Sequence, residues 1–138
     1  MASGATTNFR VIQVQSVDYD FASASAVVNL REAEATGRWL RLPVALADAT
    51  ALFQAREGLV GRRPTTSELM ATVLAELQAD IIAARIVARV EGVYLGELDV
   101  MSVRGRRVFD CRPSDAMVLA LRQRVKAPLL CAEELLGD

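Results

Sequence analysis

The stretch that most restricts how this chain can fold is Val108-Phe109-Asp110-Cys111-Arg112-Pro113-Ser114-Asp115-Ala116-Met117-Val118-Leu119-Ala120-Leu121-Arg122. Val108 to Cys111 have the composition of a strand end. Pro113 fixes φ and donates no backbone hydrogen bond, so a ladder stops there. Ser114 is a favourable N-cap, and Asp115 would follow at the positive end of a new helix. From Ala116 to Leu121 no polar residue occurs, so that helix must be covered over most of its circumference. A strand, a polar corner and a buried helix are thus compressed into fifteen residues.

The rest of the chain supplies elements to surround such a corner. Phe9–Val17 alternates as a first strand, Asp18 to Asp20 would turn the chain, and Ala22–Leu30 gives a second strand. Glu32 to Gly37 is a polar connection, and Arg38–Pro43 alternates as a third strand. Leu46 to Glu57 reads as a helix with Ala49, Leu52 and Phe53 as its apolar stripe and Gly58 as its C-cap. Thr65-Thr66-Ser67-Glu68 matches a capping box. The helix it opens carries Leu69, Met70, Val73, Leu74 and Leu77 on one face and Glu68, Thr72 and Glu76 on the other. Strands are expected at Asp80–Val90, Gly92–Val103 and Arg106–Cys111, with turns at Glu91-Gly92 and Arg104-Gly105. After the helix from Ser114 to about Arg124 come a short strand at Pro128–Cys131 and a last helical turn through Leu136.

The two halves share a plan. Asp48-Ala49 and Asp115-Ala116 stand 67 positions apart, and the turn glycines Gly37 and Gly105 stand 68 apart. Two copies of a hairpin, strand and helix make a supersecondary repeat rather than a solenoid. The expected fold is α+β: a single domain over residues 9–138, with pseudo-repeat halves at about 9–58 and 80–126 and antiparallel strands around central helices. Residues 1–8 are small and polar, and a flexible N-terminus is expected there.

Composition narrows the chemistry. The chain contains no histidine, which excludes a Ser-His-Asp or Cys-His nucleophilic site and a histidine general base. Two cysteines without histidine cannot make a Cys/His zinc site, so Cys111 and Cys131 are expected as free thiols in a reducing compartment. Hydrophobic residues at 52% promise a substantial core. No apolar run reaches the roughly eighteen residues of a membrane span, and Met1–Asn8 lacks signal-peptide character, so the expected location is cytoplasmic, without a membrane partner. The net charge of −1 argues against uniform attraction to polyanions, yet the cations are fifteen arginines and one lysine, with local clusters.

Three blocks occur in order: Arg63-Pro64-Thr65-Thr66-Ser67-Glu68-Leu69, Val93-Tyr94-Leu95-Gly96-Glu97-Leu98, and Asp110-Cys111-Arg112-Pro113-Ser114-Asp115-Ala116 followed by Leu119-Ala120-Leu121-Arg122. Together with Leu42-Pro43-Val44 and Asp48-Ala49, they make the chain resemble the bifunctional nuclease (BFN) domain family over residues 9–136. The resemblance implies a compact α+β fold with an internal duplication, self-association into a homo-oligomer, and nuclease activity on DNA and RNA. Ser67 stands where the family usually has a histidine, and the segment between Val44 and Asp48 is short and lacks the family's glycine.

Without histidine, phosphodiester hydrolysis would call on Mg²⁺ or Mn²⁺ held by carboxylates and on arginine to offset phosphate charge. Asp110, Asp115 and Arg112 are the catalytic candidates, with Asp110 and Asp115 as metal ligands and Glu97, on the same strand face as Asp99, as a further ligand. Arg122, Arg63 and Ser114 are the substrate-binding candidates, for single-stranded DNA or RNA. The alternative for the same corner is structural: Ser114 caps, Asp115 offsets the helix dipole, and Arg112 pairs with Asp110. The functional alternative is a non-catalytic oligomeric binding or assembly module.

Overall fold

In the computed structural model, residues 7–34 and 37–138 are described. The expected flexible N-terminus lies, over residues 1–6, outside the described residues, as does part of the connection before Gly37. Seven strands form one sheet: β1 (Phe9–Asp20), β2 (Ser25–Glu32), β3 (Trp39–Ala45), β4 (Asp80–Val90), β5 (Val93–Ser102), β6 (Gly105–Cys111) and β7 (Leu129–Ala132). Their spatial order is β3-β2-β1-β7-β4-β5-β6. Every neighbouring pair is antiparallel except β4–β7, which is parallel. With helices α1 (Leu46–Glu57), α2 (Thr66–Glu76) and α3 (Pro113–Arg122), the fold is α+β with a mixed sheet. The short strand near the C-terminus is the central one, a position its four residues could not reveal.

Alternation sets the inner face. Ala26, Val28 and Leu30 of β2, Leu40 and Leu42 of β3, and Leu98 and Val100 of β5 are buried. α1 packs on β1, β2 and β3, and α3 on β4 and β5, so both helices cover the same core. α1 buries Ala49, Leu52 and Ala55, whereas Phe53, expected in its stripe, is exposed. Gly58 ends the helix at φ 69°, as a C-cap glycine does. β1 continues through Asp20, and the turn falls at Phe21–Ala24, where the Asp20 carboxylate accepts from the Ala22 and Ser23 amides. Glu91 and Gly92 both take positive φ, 51° and 80°, the geometry of a tight hairpin.

The corner departs from expectation at its cap. The N-cap of α3 is Arg112, with Pro113 at the first helical position, and Ser114 lies buried inside the first turn instead of capping it. Pro113 suits that first position because its missing N–H would have been unpaired there. The turn is made directly above β5. A Cβ on Gly96 would stand 2.7 Å from Pro113 N and 2.8 Å from Pro113 Cα, so only glycine leaves room for the backbone to cross. α3 then buries Pro113, Ser114, Ala116, Met117, Val118 and Ala120.

The helix α2 starts where the capping box placed it. Thr65 accepts from the Glu68 amide at 3.4 Å, but the Glu68 carboxylate returns to the Gly61 amide and the Thr65 hydroxyl. Most of its apolar stripe faces solvent: Leu69, Met70, Val73 and Leu77 are exposed, Leu74 packs against the core, and no residue of α2 is fully buried. The half-buried side is Ser67, Glu68, Ala71 and Leu74.

Two ionic clusters tie strands together. Asp99, 1% exposed, accepts from Arg106 Nε at 2.9 Å and from Arg85, joining β4, β5 and β6. Glu32, 3% exposed, accepts from Arg10 Nε at 2.7 Å and Arg38 Nε at 3.1 Å. Arg38 Nη2 also reaches Glu133 at 2.9 Å, in the 3-10 turn Glu133–Leu135 after β7.

Gly96→Ala should destabilise the fold by about 1–3 kcal/mol through backbone collision with the corner, read as a lowered urea midpoint. Hydrogen bonds from Arg106, against the opposing effect of burial and with help from Arg85, hold the Asp99 carboxyl at about 2, below its ordinary 3.8. A depressed native value means that the unfolded chain binds the proton first, so this stability is present above pH ~4 and lost as pH falls toward ~2. Asp99→Asn should be less stable at pH 7 and lose less of its remaining stability between pH 5 and 3, measured by denaturation at each pH.

Candidate functional site

α1 begins directly where β3 ends and α3 directly where β6 ends, with N-caps Ala45 and Arg112. The two helices run side by side in the same direction. Their starts are joined by Arg112 and Asp48, while beyond their far ends Lys126 Nζ donates to Arg56 O at 3.1 Å. Neither helix has a side-chain cap. The start of α2, from its N-cap Thr65, comes to the same place. Leu46, Asp48, Thr65, Ser67, Arg112 and Asp115 are among the residues lining one groove of about 780 Å³. Three helix N-termini therefore meet at one opening, each contributing partial positive charge and amide donors.

Arg112 organises this opening. Its Nε and Nη2 donate to Asp115 Oδ2 and Oδ1 at 2.8 and 3.0 Å. Its Nη1 and Nη2 donate to Asp48 Oδ2 and Oδ1 at 2.8 and 3.3 Å. One guanidinium thus engages all four oxygens of two carboxylates from different helices, in the bidentate geometry that suits arginine. Hydrogen bonding to Asp115 and the charges of Asp115 and Asp48 raise the Arg112 pKa. The Arg112 side chain nevertheless remains 61% exposed at the groove.

The expected residues separate into two groups. Arg112, Ser114 and Asp115 line the groove. Asp110 does not pair with Arg112, which is a correction to the structural reading of the corner. Asp110 is the register partner of Glu97. Since Leu98 and Val100 face the helices, alternation turns Glu97 and Asp110 to the opposite face of the sheet. Arg85 and Arg106 occupy Asp99, and Arg85 Nη1 stands 3.9 Å from Glu97. Among the described residues no three His, Cys, Asp or Glu side chains come together to hold a metal ion. Asp115 is spanned together with Asp48 by Arg112, while Asp110 shares the outer sheet face with Glu97, so the expected ligands do not converge on one point.

Arg122 lies at the other end of α3, buried, donating to Leu59 O and standing 3.8 Å from Glu68. Arg63 is exposed in the loop before α2. Asp48 and Ser67 are the groove residues that sequence reasoning did not assign to a site. The 67-residue spacing of Asp48 and Asp115 was the available signal, since it puts both carboxylates at the third position of a helix packed beside its counterpart. Cys111, close to the corner, offers no thiolate at neutral pH: burial first, then Asp115 and Asp110, push its thiol up to about 11.

Fold and site together define an α+β domain with an arginine-centred groove at convergent helix N-termini. A family profile described as the bifunctional nuclease domain matches residues 28–138. The chain belongs to the bifunctional nuclease domain family. It is also similar to two proteins of Mycobacterium tuberculosis, uncharacterized protein MT1877 of strain CDC 1551 / Oshkosh and uncharacterized protein Rv1829 of strain ATCC 25618 / H37Rv. Each is 29% identical over 127 residues, covering 92% of this chain and 74% of the relative. Among the described residues, no helix is long and apolar enough to cross a membrane.

Proposed function

We propose that this protein hydrolyses phosphodiester bonds in single-stranded DNA and RNA, with the reacting phosphate seated in the groove at Arg112. The observation that carries this reading is the convergence of three helix N-termini and an exposed guanidinium on one opening. Amide donors and a fixed guanidinium aimed at one point suit the charge that develops on phosphate oxygens during displacement. Asp48 and Asp115 hold the guanidinium in register, and Asp115, the more exposed of the two, is the carboxylate nearest in role to a base. Ser67 places a hydroxyl in the same groove where the family usually has a histidine. No step is assigned to Mg²⁺ or Mn²⁺, because Asp110 does not share the groove of Asp115 and both oxygens of Asp115 are taken up by Arg112. The two hairpin-and-helix halves are read as an internal duplication, which gives the two helix starts their matched aspartates. The free thiols support a cytoplasmic site of action.

A second property is favoured by a separate observation. The exposed stripe Leu69, Met70, Val73 and Leu77 on α2 suits burial against a second copy of the chain. Self-association through α2 would serve the nuclease or a non-catalytic binding module equally.

Purified protein should release nucleotides from single-stranded DNA and RNA, assayed with Mg²⁺, with Mn²⁺ and with EDTA. Arg112→Ala should lower the rate by about 10²–10³. Absence of turnover under every condition, or an unchanged rate in Arg112→Ala, would remove the nuclease reading and leave the binding module. Leu69→Glu with Val73→Glu should convert the wild-type oligomer to a folded monomer in sedimentation velocity; a wild type already monomeric at high concentration argues against self-association.

A further inference from the structure

The far ends of α1 and α3 carry a concentration of positive charge that the groove at Arg112 does not use. Arg56 lies in the last turn of α1, Arg62 and Arg63 in the loop that leads from α1 to α2, and Arg122, Arg124 and Lys126 at and after the end of α3. The gathering is fixed by contact: Lys126 Nζ donates to Arg56 O, and Arg122 donates to Leu59 O. Arg62, Arg63, Arg124 and Lys126 are exposed. The opposing acids are Glu57, which lies 3.7 Å from Arg56, together with Glu68 and Asp80. Arg122 is buried with only partial compensation, since its Nε has no hydrogen-bond partner. On a chain of net charge −1, this end is locally basic. Arg122, Arg124 and Lys126 border a second groove of about 830 Å³, and α2 separates it from the first.

We infer that this basic end is a phosphate track, holding the backbone of a single-stranded polynucleotide whose reacting phosphate lies at Arg112. The inference rests on the reading of the Arg112 groove and adds a minimum substrate length. α3 runs from one place to the other over ten residues, about 15 Å at ~1.5 Å per residue. That distance corresponds to about four nucleotides at the ~3.4 Å axial spacing of a stacked strand. Arg62 and Arg63 are exposed in the loop that connects the end of α1 with the N-cap of α2 at the first groove. Contacts of this kind neutralise phosphates without reading bases, so the track accepts DNA and RNA alike.

The test is fluorescence anisotropy on end-labelled oligothymidylates of two, five and twelve nucleotides in EDTA, over a range of salt. The five-mer should bind about tenfold more tightly than the dimer, with little further gain for the twelve-mer. For the twelve-mer, Arg124→Ala with Lys126→Ala should reduce the slope of log affinity against log salt by about 1.4, at ~0.7 per phosphate contact. Because Lys126 also touches Arg56, Arg124→Gln alone provides a variant at an exposed position outside the helices, and should reduce the slope by about 0.7. Affinity independent of length beyond the dimer, or slopes unchanged in both variants, overturns the track. Hydrolysis of bis(p-nitrophenyl) phosphate separates the two readings, since that diester needs only the Arg112 groove. Hydrolysis with flat length dependence removes the track alone, whereas length-dependent binding without hydrolysis of any substrate removes the nuclease reading and leaves the track.

Discussion

The constraint on which the architecture rests is the contact between Gly96 and the Arg112-Pro113 corner. β6 is an edge strand, and its chain must leave the sheet and start a helix that lies back over the same sheet. That reversal is possible only where the neighbouring strand presents no side chain, because the nearest backbone atoms of Pro113 occupy the volume of a Cβ. Pro113 completes the device by ending the ladder and taking a helical φ at a position where an amide donor would be unused. The start of α3 is therefore fixed relative to β5, and with it the position of Arg112. The groove inherits its geometry from this packing and not from the flexible reach of side chains.

The ionic interactions divide by environment. Asp99 and Glu32 are almost wholly buried, and each is met by two arginines, so removing a partner would leave a charge in low dielectric. They hold strands in place. The Asp48–Arg112–Asp115 cluster is different, since the Arg112 side chain is more than half exposed and solvent weakens the attraction. Its contribution is orientation: four hydrogen bonds fix a planar cation at the opening where α1 and α3 begin. A rigid cation there costs no reordering when an anion arrives, which is the property electrostatic catalysis requires.

The helix α2 has the least buried surface of the three and separates two grooves. Ser67, Glu68, Ala71 and Leu74 are its half-buried residues, while Leu69, Met70, Val73 and Leu77 are exposed. This orientation follows from its two neighbours. Glu68 is drawn in by Gly61 and Arg122, and the capping of Thr65 fixes the rotation of the first turn. A helix rotated to bury Leu69 and Val73 would pull Glu68 away from Arg122 and leave that buried guanidinium without its counter-charge.

Local patterns determined much of this protein. Alternation, apolar runs and turn residues located the strands, glycine chemistry marked Gly58 and the Glu91-Gly92 turn, and the capping box placed the start of α2. These are short-range effects, set by φ preference and by which side of a strand meets water. The sequence also placed Arg112, Ser114 and Asp115 at one corner, because three adjacent residues cannot be far apart. Longer-range relations came only from tertiary structure. The central place of β7, the solvent-facing stripe of α2, the partnership of Arg112 with Asp48 instead of Asp110, and the arrival of Ser67 in the same groove all depend on how elements stack. Alternation by itself would put Asp110 and Arg112, two positions apart, on the same side, and only the departure of the chain from the sheet after Cys111 separates them. The physical reason is that periodicity fixes a residue's direction relative to its own element, whereas a site is made where the directions of several elements intersect.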